Sequence, residues 1–158
     1  MKLLILGLIF ASISFIGYKF GDTYKEKEAF YKEFLSFLLY LKSQINFLKT
    51  DILEILNTYQ TKNKNLNNLL LNYRYDILND KNIDIELNIL KEDEKNDFIN
   101  FFSTLGKSDL FTQNEFLENN IQFFSDKLEE KKSLNLRYGV MYKKLGILFA
   151  FFVCIVLI

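Results

Sequence analysis

The chain has 158 residues, enough for one domain and few for two, and its 20 basic and 20 acidic side chains cancel. It contains no histidine, no tryptophan and one cysteine, Cys154, which excludes an intrachain disulfide, a His/Cys metal cluster and a Ser/His/Asp or Cys/His catalytic arrangement. Without net charge, and without a basic face interleaved with aromatics, nucleic acid is excluded as a partner.

The charges are unevenly spread. Leu3 to Tyr18 and Leu145 to Ile158 carry none, while Lys19 to Lys144 carries nearly all of them. In the first run, Leu3 to Phe20 would extend about 27 Å as a helix, with Lys19 snorkelling, close to the ~30 Å hydrocarbon core. This predicts a transmembrane helix over 1–20. The rival reading is a cleaved secretory signal, given the charged start and the small residues Ala11, Ser12 and Ser14; against it, the apolar run continues through Phe15 and Ile16 and has no A-x-A site. Gly7, Gly17 and Gly146 would permit close helix contacts, but Gly7 and Gly17 form no GxxxG pair.

A helical domain is expected over 21–139. Proline is absent, so nothing forces a helix to kink or stop. From Tyr31 the apolar residues step by three and four through Phe34, Leu38, Leu41, Ile45, Leu48, Ile52, Ile55 and Tyr59, a heptad seam predicting a long amphipathic helix with a partner along that face. Leu35, Phe37, Leu39, Tyr40 and Phe47 widen the stripe, which favours a bundle interior over a two-stranded coiled coil. Asp51 and Glu54 loosely fit a capping box, so a fresh helix can start there. "TKNKNLNN" from Thr61 reads as a turn, Leu66 to Leu78 as a helix, and "NDKNID" from Asn79 as a second break.

Leu87, Leu90, Phe98, Phe101, Phe102 and Leu105 supply the next apolar set, and the acidic patch Glu92-Asp93-Glu94 marks a helix start. With Asp97, the same patch is the candidate for a carboxylate-only catalytic site, the one catalytic option the composition leaves; a solvated acidic first turn explains it more simply. Gly106 stands at a C-terminal cap position. A further helix follows, with Asp109 or Thr112 as N-cap and Thr112 with Glu115 as a capping box. Its oily face is Phe116, Leu117, Ile121, Phe124 and Leu128, and no breaker separates it from the second apolar run. That run, Val140 to Ile158, predicts a transmembrane helix over 140–158, with Lys143 and Lys144 snorkelling and Tyr138 and Tyr142 in the aromatic belt. The expected fold is all-α, a cytoplasmic helical bundle held between an N-terminal and a C-terminal transmembrane helix. Lys19, Lys25, Lys27, Lys32, Lys131, Lys132, Arg137, Lys143 and Lys144 flank the spans on their central side, against Lys2 outside. The positive-inside rule therefore places the central domain in the cytoplasm and both termini outside.

The stretch "LKEDEKNDFINFFSTLGKSDLFTQ" resembles the middle of the stage III sporulation protein AB family, whose pattern falls on Leu90, Glu92, Asp93, Leu105, Gly106, Asp109 and Gln113. The closing "YKKLGILFAFFVCIVLI" is similar to that family's end at Tyr142, Lys143, Leu145 and Gly146, and "QINFLKTDI" matches at Ile45, Phe47 and Thr50. It departs where Gln44 replaces an acidic residue and Asp51 a proline, and the usual arginine-proline pair after the first span is missing. The resemblance implies a membrane component of the channel complex between mother cell and forespore, similar in layout to the platform protein of type II secretion and type IV pilus machines. With no histidine, nucleotide loop or metal-ligand spacing in the sequence, neither catalysis nor a cofactor is expected. The partners implied by the resemblance are a cytoplasmic secretion-type ATPase of the same operon and the complex's channel and ring proteins; the apolar runs add membrane lipid, and self-association is a further option. The heptad seam alone supports a plainer alternative, a membrane-tethered coiled-coil adaptor.

Overall fold

The computed structural model describes residues 2–48, 50–107 and 110–157. Asp109 and Ile158 lie outside the described residues, as does the side chain of Phe47. The described residues are helical or irregular, without a strand. Six α-helices follow one another: α1 Lys2–Ser43, α2 Ile52–Thr58, α3 Lys64–Leu78, α4 Glu92–Thr104, α5 Leu110–Leu134 and α6 Val140–Leu157, with π-helical turns at Gln44–Leu48 and Asn135–Gly139. They form two compact units, one of residues 29–128 and one made of the residues up to Glu28 and from Glu129 onward. These units follow packing, so their limits differ from the membrane boundaries expected at 20 and 140.

In the central unit the seam finds its partner within the chain. Tyr31, Phe34, Leu38, Leu41, Ile45 and Ile55 are buried, together with Phe30 and Phe37. The Phe34 ring lies 4.8 Å from Phe98, 5.6 Å from Phe101 and 4.7 Å from Phe124 by centroid, each edge-on. Edge-to-face packing sets the positive ring edge against a negative face, worth about 0.5–1.5 kcal/mol per pair beyond burial. The seam therefore belongs to a mixed core with α4 and α5 and offers no continuous stripe to an external coiled-coil strand.

It is also not one helix. After Ser43 the backbone widens into a π turn, and the chain re-enters helix at Ile52, with Asp51 as N-cap accepting from the Leu53 N–H at 2.8 Å. Leu48, on this break, is 67 % exposed and leaves the seam, whereas Ile52 and Tyr59 pack on the core's edge. The asparagine-rich stretch is a turn only to Asn63, whose side chain caps α3 by accepting from the N–H groups of Asn65 and Leu66. Between α3 and α4 the chain is irregular but anchored by buried Ile85, Leu87 and Leu90. The acidic residues do start α4, yet Glu94 is buried and accepts from the Lys91 N–H at 2.7 Å, the reach-back half of a capping box. Thr112 is not an N-cap, because α5 begins earlier, at Leu110.

The second unit is an antiparallel hairpin of the two apolar segments. Glu28 accepts from the Asn135 amide at 2.6 Å, Tyr24 stacks on Tyr138 and Tyr142, Asp22 pairs with Lys143 at 2.7 Å, and Phe10 meets Phe151 edge-on. At its closest approach, glycine meets glycine. A Cβ on Gly17 would lie 2.5 Å from Gly146 Cα, and one on Gly21 would lie 2.5 Å from the Gly139 carbonyl oxygen. Gly17-x-x-x-Gly21 is therefore a small-xxx-small face used within the chain. Closing the first span at Phe20 separates these two glycines, which hides the motif from a reading by hydropathy.

Leu4, Leu8, Phe15, Ile16, Leu148, Phe149, Phe152, Ile155 and Val156 point outward and are exposed. An apolar surface of that extent is unfavourable in water, and both helices are long and apolar enough to cross a membrane.

Candidate functional site

The family-like residues fall in two places, one in each unit. In the hairpin, Tyr142 stacks on Tyr24 with centroids 5.9 Å apart, Gly146 abuts Gly17, and Leu145 faces outward. These positions shape the packing of two helices and present no polar cleft.

In the central unit they build the corner between α4 and α5. Leu105 ends α4, sends its side chain into the core, and donates its N–H to the Phe101 carbonyl at 3.1 Å. Gly106 follows with φ of +80°, the left-handed conformation that glycine adopts without a Cβ clash. Its N–H, which a continuing helix would send to the Phe102 carbonyl, donates instead to Oε1 of buried Gln113 at 3.2 Å. The Phe102 carbonyl in turn accepts from the Tyr73 hydroxyl at 3.2 Å. Tyr73 is buried, and burial pushes its phenol up to about 12. Two helix-end groups thus receive side-chain partners from α5 and α3, so the motif's leucine, glycine and glutamine form one local device. Sequence patterning finds these three but not Tyr73, which reads as an ordinary apolar-face residue of α3.

The corner also meets the break after α1. A Cβ on Gly106 would come within 2.5 Å of Ile52 Cδ1, at the start of α2. Asn46 donates to Asn114 at 2.9 Å, and Lys42 pairs with Glu118 at 2.8 Å. The stretches 44–52 and 105–114, far apart in sequence, therefore share one end of the central unit. Leu48 and Phe111 belong to this end and are 67 % and 81 % exposed. Large apolar side chains beside an ordered polar frame are a composition suited to a protein partner.

No cluster able to hold a metal occurs among the described residues. In the acidic patch, Glu92 is exposed and salt-bridged to Lys95 at 3.3 Å, and Asp97 pairs with Lys127 at 3.4 Å. These carboxylates serve helix ends and surface pairs, and they converge on no cleft.

A family model described as stage III sporulation protein AB matches residues 2–158. No curated protein and no solved structure matches the chain.

Proposed function

The chain belongs to the stage III sporulation protein AB family, and from that premise we propose that it is a non-enzymatic membrane platform of the mother cell–forespore channel complex. In this reading the two apolar helices hold it in the mother-cell membrane facing the forespore, with both termini outside. The central unit lies in the cytoplasm and docks a secretion-type ATPase. The channel and ring proteins of the complex are its membrane neighbours.

One observation carries the docking role: the two family-like stretches of the central unit converge on one end and leave Leu48 and Phe111 at its surface. The coiled-coil adaptor reading has less support, because the face it needs is occupied by Phe98, Phe101 and Phe124 of the same chain.

The test is co-purification of the operon's ATPase with the full-length protein from sporulating cells. Leu48→Lys with Phe111→Lys is expected to reduce recovery at least tenfold, as loss of two apolar anchors does at an interface centre, and to lower spore yield at unchanged protein level. Leu71→Lys, also at an exposed apolar position, serves as the control. Capture that survives the double variant but fails in the control moves the docking face to α3. No capture by the unaltered protein removes the ATPase from the account.

A further inference from the structure

The hairpin unit carries a shallow, widely open groove. It has a volume of about 420 Å³ and is lined by Glu129, Lys132, Ser133, Leu136 and Arg137, spaced along one face of α5 and the π turn. The opposite face, with Asn135, Tyr138 and Gly139, is the one turned to Glu28, Tyr24 and Gly21. The groove is therefore on the outside of the hairpin.

We propose that this groove binds the phosphate of an anionic phospholipid headgroup. The inference rests on the reading that α6 crosses a bilayer. Depth is the first argument. Counted from Val140 at 1.5 Å per residue, Arg137 stands about 5 Å and Lys132 about 12 Å above the start of the span. The headgroup layer is about 5–8 Å thick on each side, so Arg137 stands at its level and Lys132 just beyond it, with an amine that turns toward the layer on leaving Glu129.

Chemistry is the second. Among the described residues no carboxylate pairs with Arg137, whose guanidinium carbon lies 5.4 Å from the centroid of the Tyr138 ring. A planar guanidinium without a carboxylate partner can offer its fork to a phosphate in bidentate fashion. The exposed Ser133 side chain supplies a hydroxyl donor on the same face, and exposed Leu136 offers an apolar edge to the glycerol and first acyl carbons. Among the described residues Lys132 is engaged by Glu129, in an exposed pair at 3.6 Å, weak enough to yield to a phosphate. Glu129 is the lining residue farthest along the chain from the span, and its carboxylate must give up the Lys132 amine for a phosphate to bind there.

Membrane retention of the full-length chain is measured first, by alkaline carbonate extraction. The protein is then purified in neutral detergent and titrated with phosphatidylglycerol or phosphatidylcholine, and bound lipid is counted by native mass spectrometry. The expected result is a preference for phosphatidylglycerol that survives excess inorganic phosphate. It should weaken about thirtyfold in Lys132→Gln/Arg137→Gln and stay unchanged in Lys62→Gln/Lys64→Gln, which removes the same charge from exposed positions of the central unit. An equal loss in both double variants overturns the site, as does the absence of preference, and displacement by inorganic phosphate reassigns it to the free anion. A chain extracted by carbonate removes the membrane reading together with the site, whereas a retained chain without preference removes the site alone.

Discussion

Gly106 meets two constraints that mutation can separate. Its φ of +80° disfavours any side chain, and its missing Cβ makes room for Ile52 Cδ1. Gly106→Ala is expected to lower stability by about 2–4 kcal/mol, of which the left-handed backbone contributes about 1–2. Ile52→Val deletes the clashing methyl, so the double variant should recover the steric part and leave the backbone part. Chemical unfolding of the full-length chain in detergent, followed by near-UV dichroism, checks the cycle; an additive double variant would mean that the two residues do not touch. Tyr73 gives a second residue-scale prediction. Its folded pKa, about 12, lies above the ordinary 10.0 because of burial. The native state thus holds the phenol proton more tightly, and this contribution is complete below pH 10 and lost as pH rises toward 12. The two-unit difference corresponds to about 2–3 kcal/mol. Tyr73→Phe should therefore be less stable by about 1 kcal/mol at pH 8, through the lost bond to the Phe102 carbonyl, and should flatten the decline between pH 10 and 12. A slope equal to that of the unaltered chain would show that Tyr73 titrates as an exposed phenol.

At the scale of elements, the glycine crossing sets the hairpin's geometry. Gly17→Leu forces a side chain into the Gly146 backbone, and Gly21→Leu meets the Gly139 carbonyl; overpacking of this kind costs about 1–3 kcal/mol. Cysteines at Glu28 and Asn135, whose side chains touch at 2.6 Å, should be joined within one chain by a short bifunctional thiol reagent in a Cys154→Ala background. That yield is expected to fall severalfold in Gly17→Leu and to hold in Gly7→Leu, since nothing lies within 4 Å of a Cβ at Gly7. How far each element could be read from sequence follows from the range of its determinants. The seam residues up to Ile45, the Asp51 cap and the Gly106 cap depend on neighbours within a few positions, and they were legible. The exposure of Leu48 depends on a π turn, after which the Thr50 N–H donates to the Gln44 carbonyl at 3.4 Å, and periodicity carries no mark of it. The corner was half legible: the motif names Gly106 and Gln113, but only the fold shows that one donates to the other and that Ile52 fills the space beside them. Leu87 and Leu90 packed as expected of apolar residues, yet in an irregular segment, because periodicity alone does not distinguish a buried loop from a helix end.

For the whole molecule, the decisive quantity is the asymmetry of charge about two apolar helices. Nine basic residues flank the spans on the central side against Lys2 on the other, and lysine and arginine resist translocation. If both helices cross the bilayer, the two ends lie on one side and everything between them on the other, so a single position in the central unit would report the sidedness of the whole. Asn67 is suited to this: it is exposed, near the start of α3, and away from the core residues Leu66, Leu69 and Leu70. With Cys154→Ala removing the native thiol, Asn67→Cys is expected to resist a membrane-impermeant maleimide in intact cells and to label fully after lysis. Labelling in intact cells would place the central unit outside. A cytoplasmic ATPase would then be out of reach of Leu48 and Phe111, and Lys132 and Arg137 would face the outer leaflet. The same single cysteine therefore tests the platform reading and fixes the leaflet in which a bound anionic lipid must be sought.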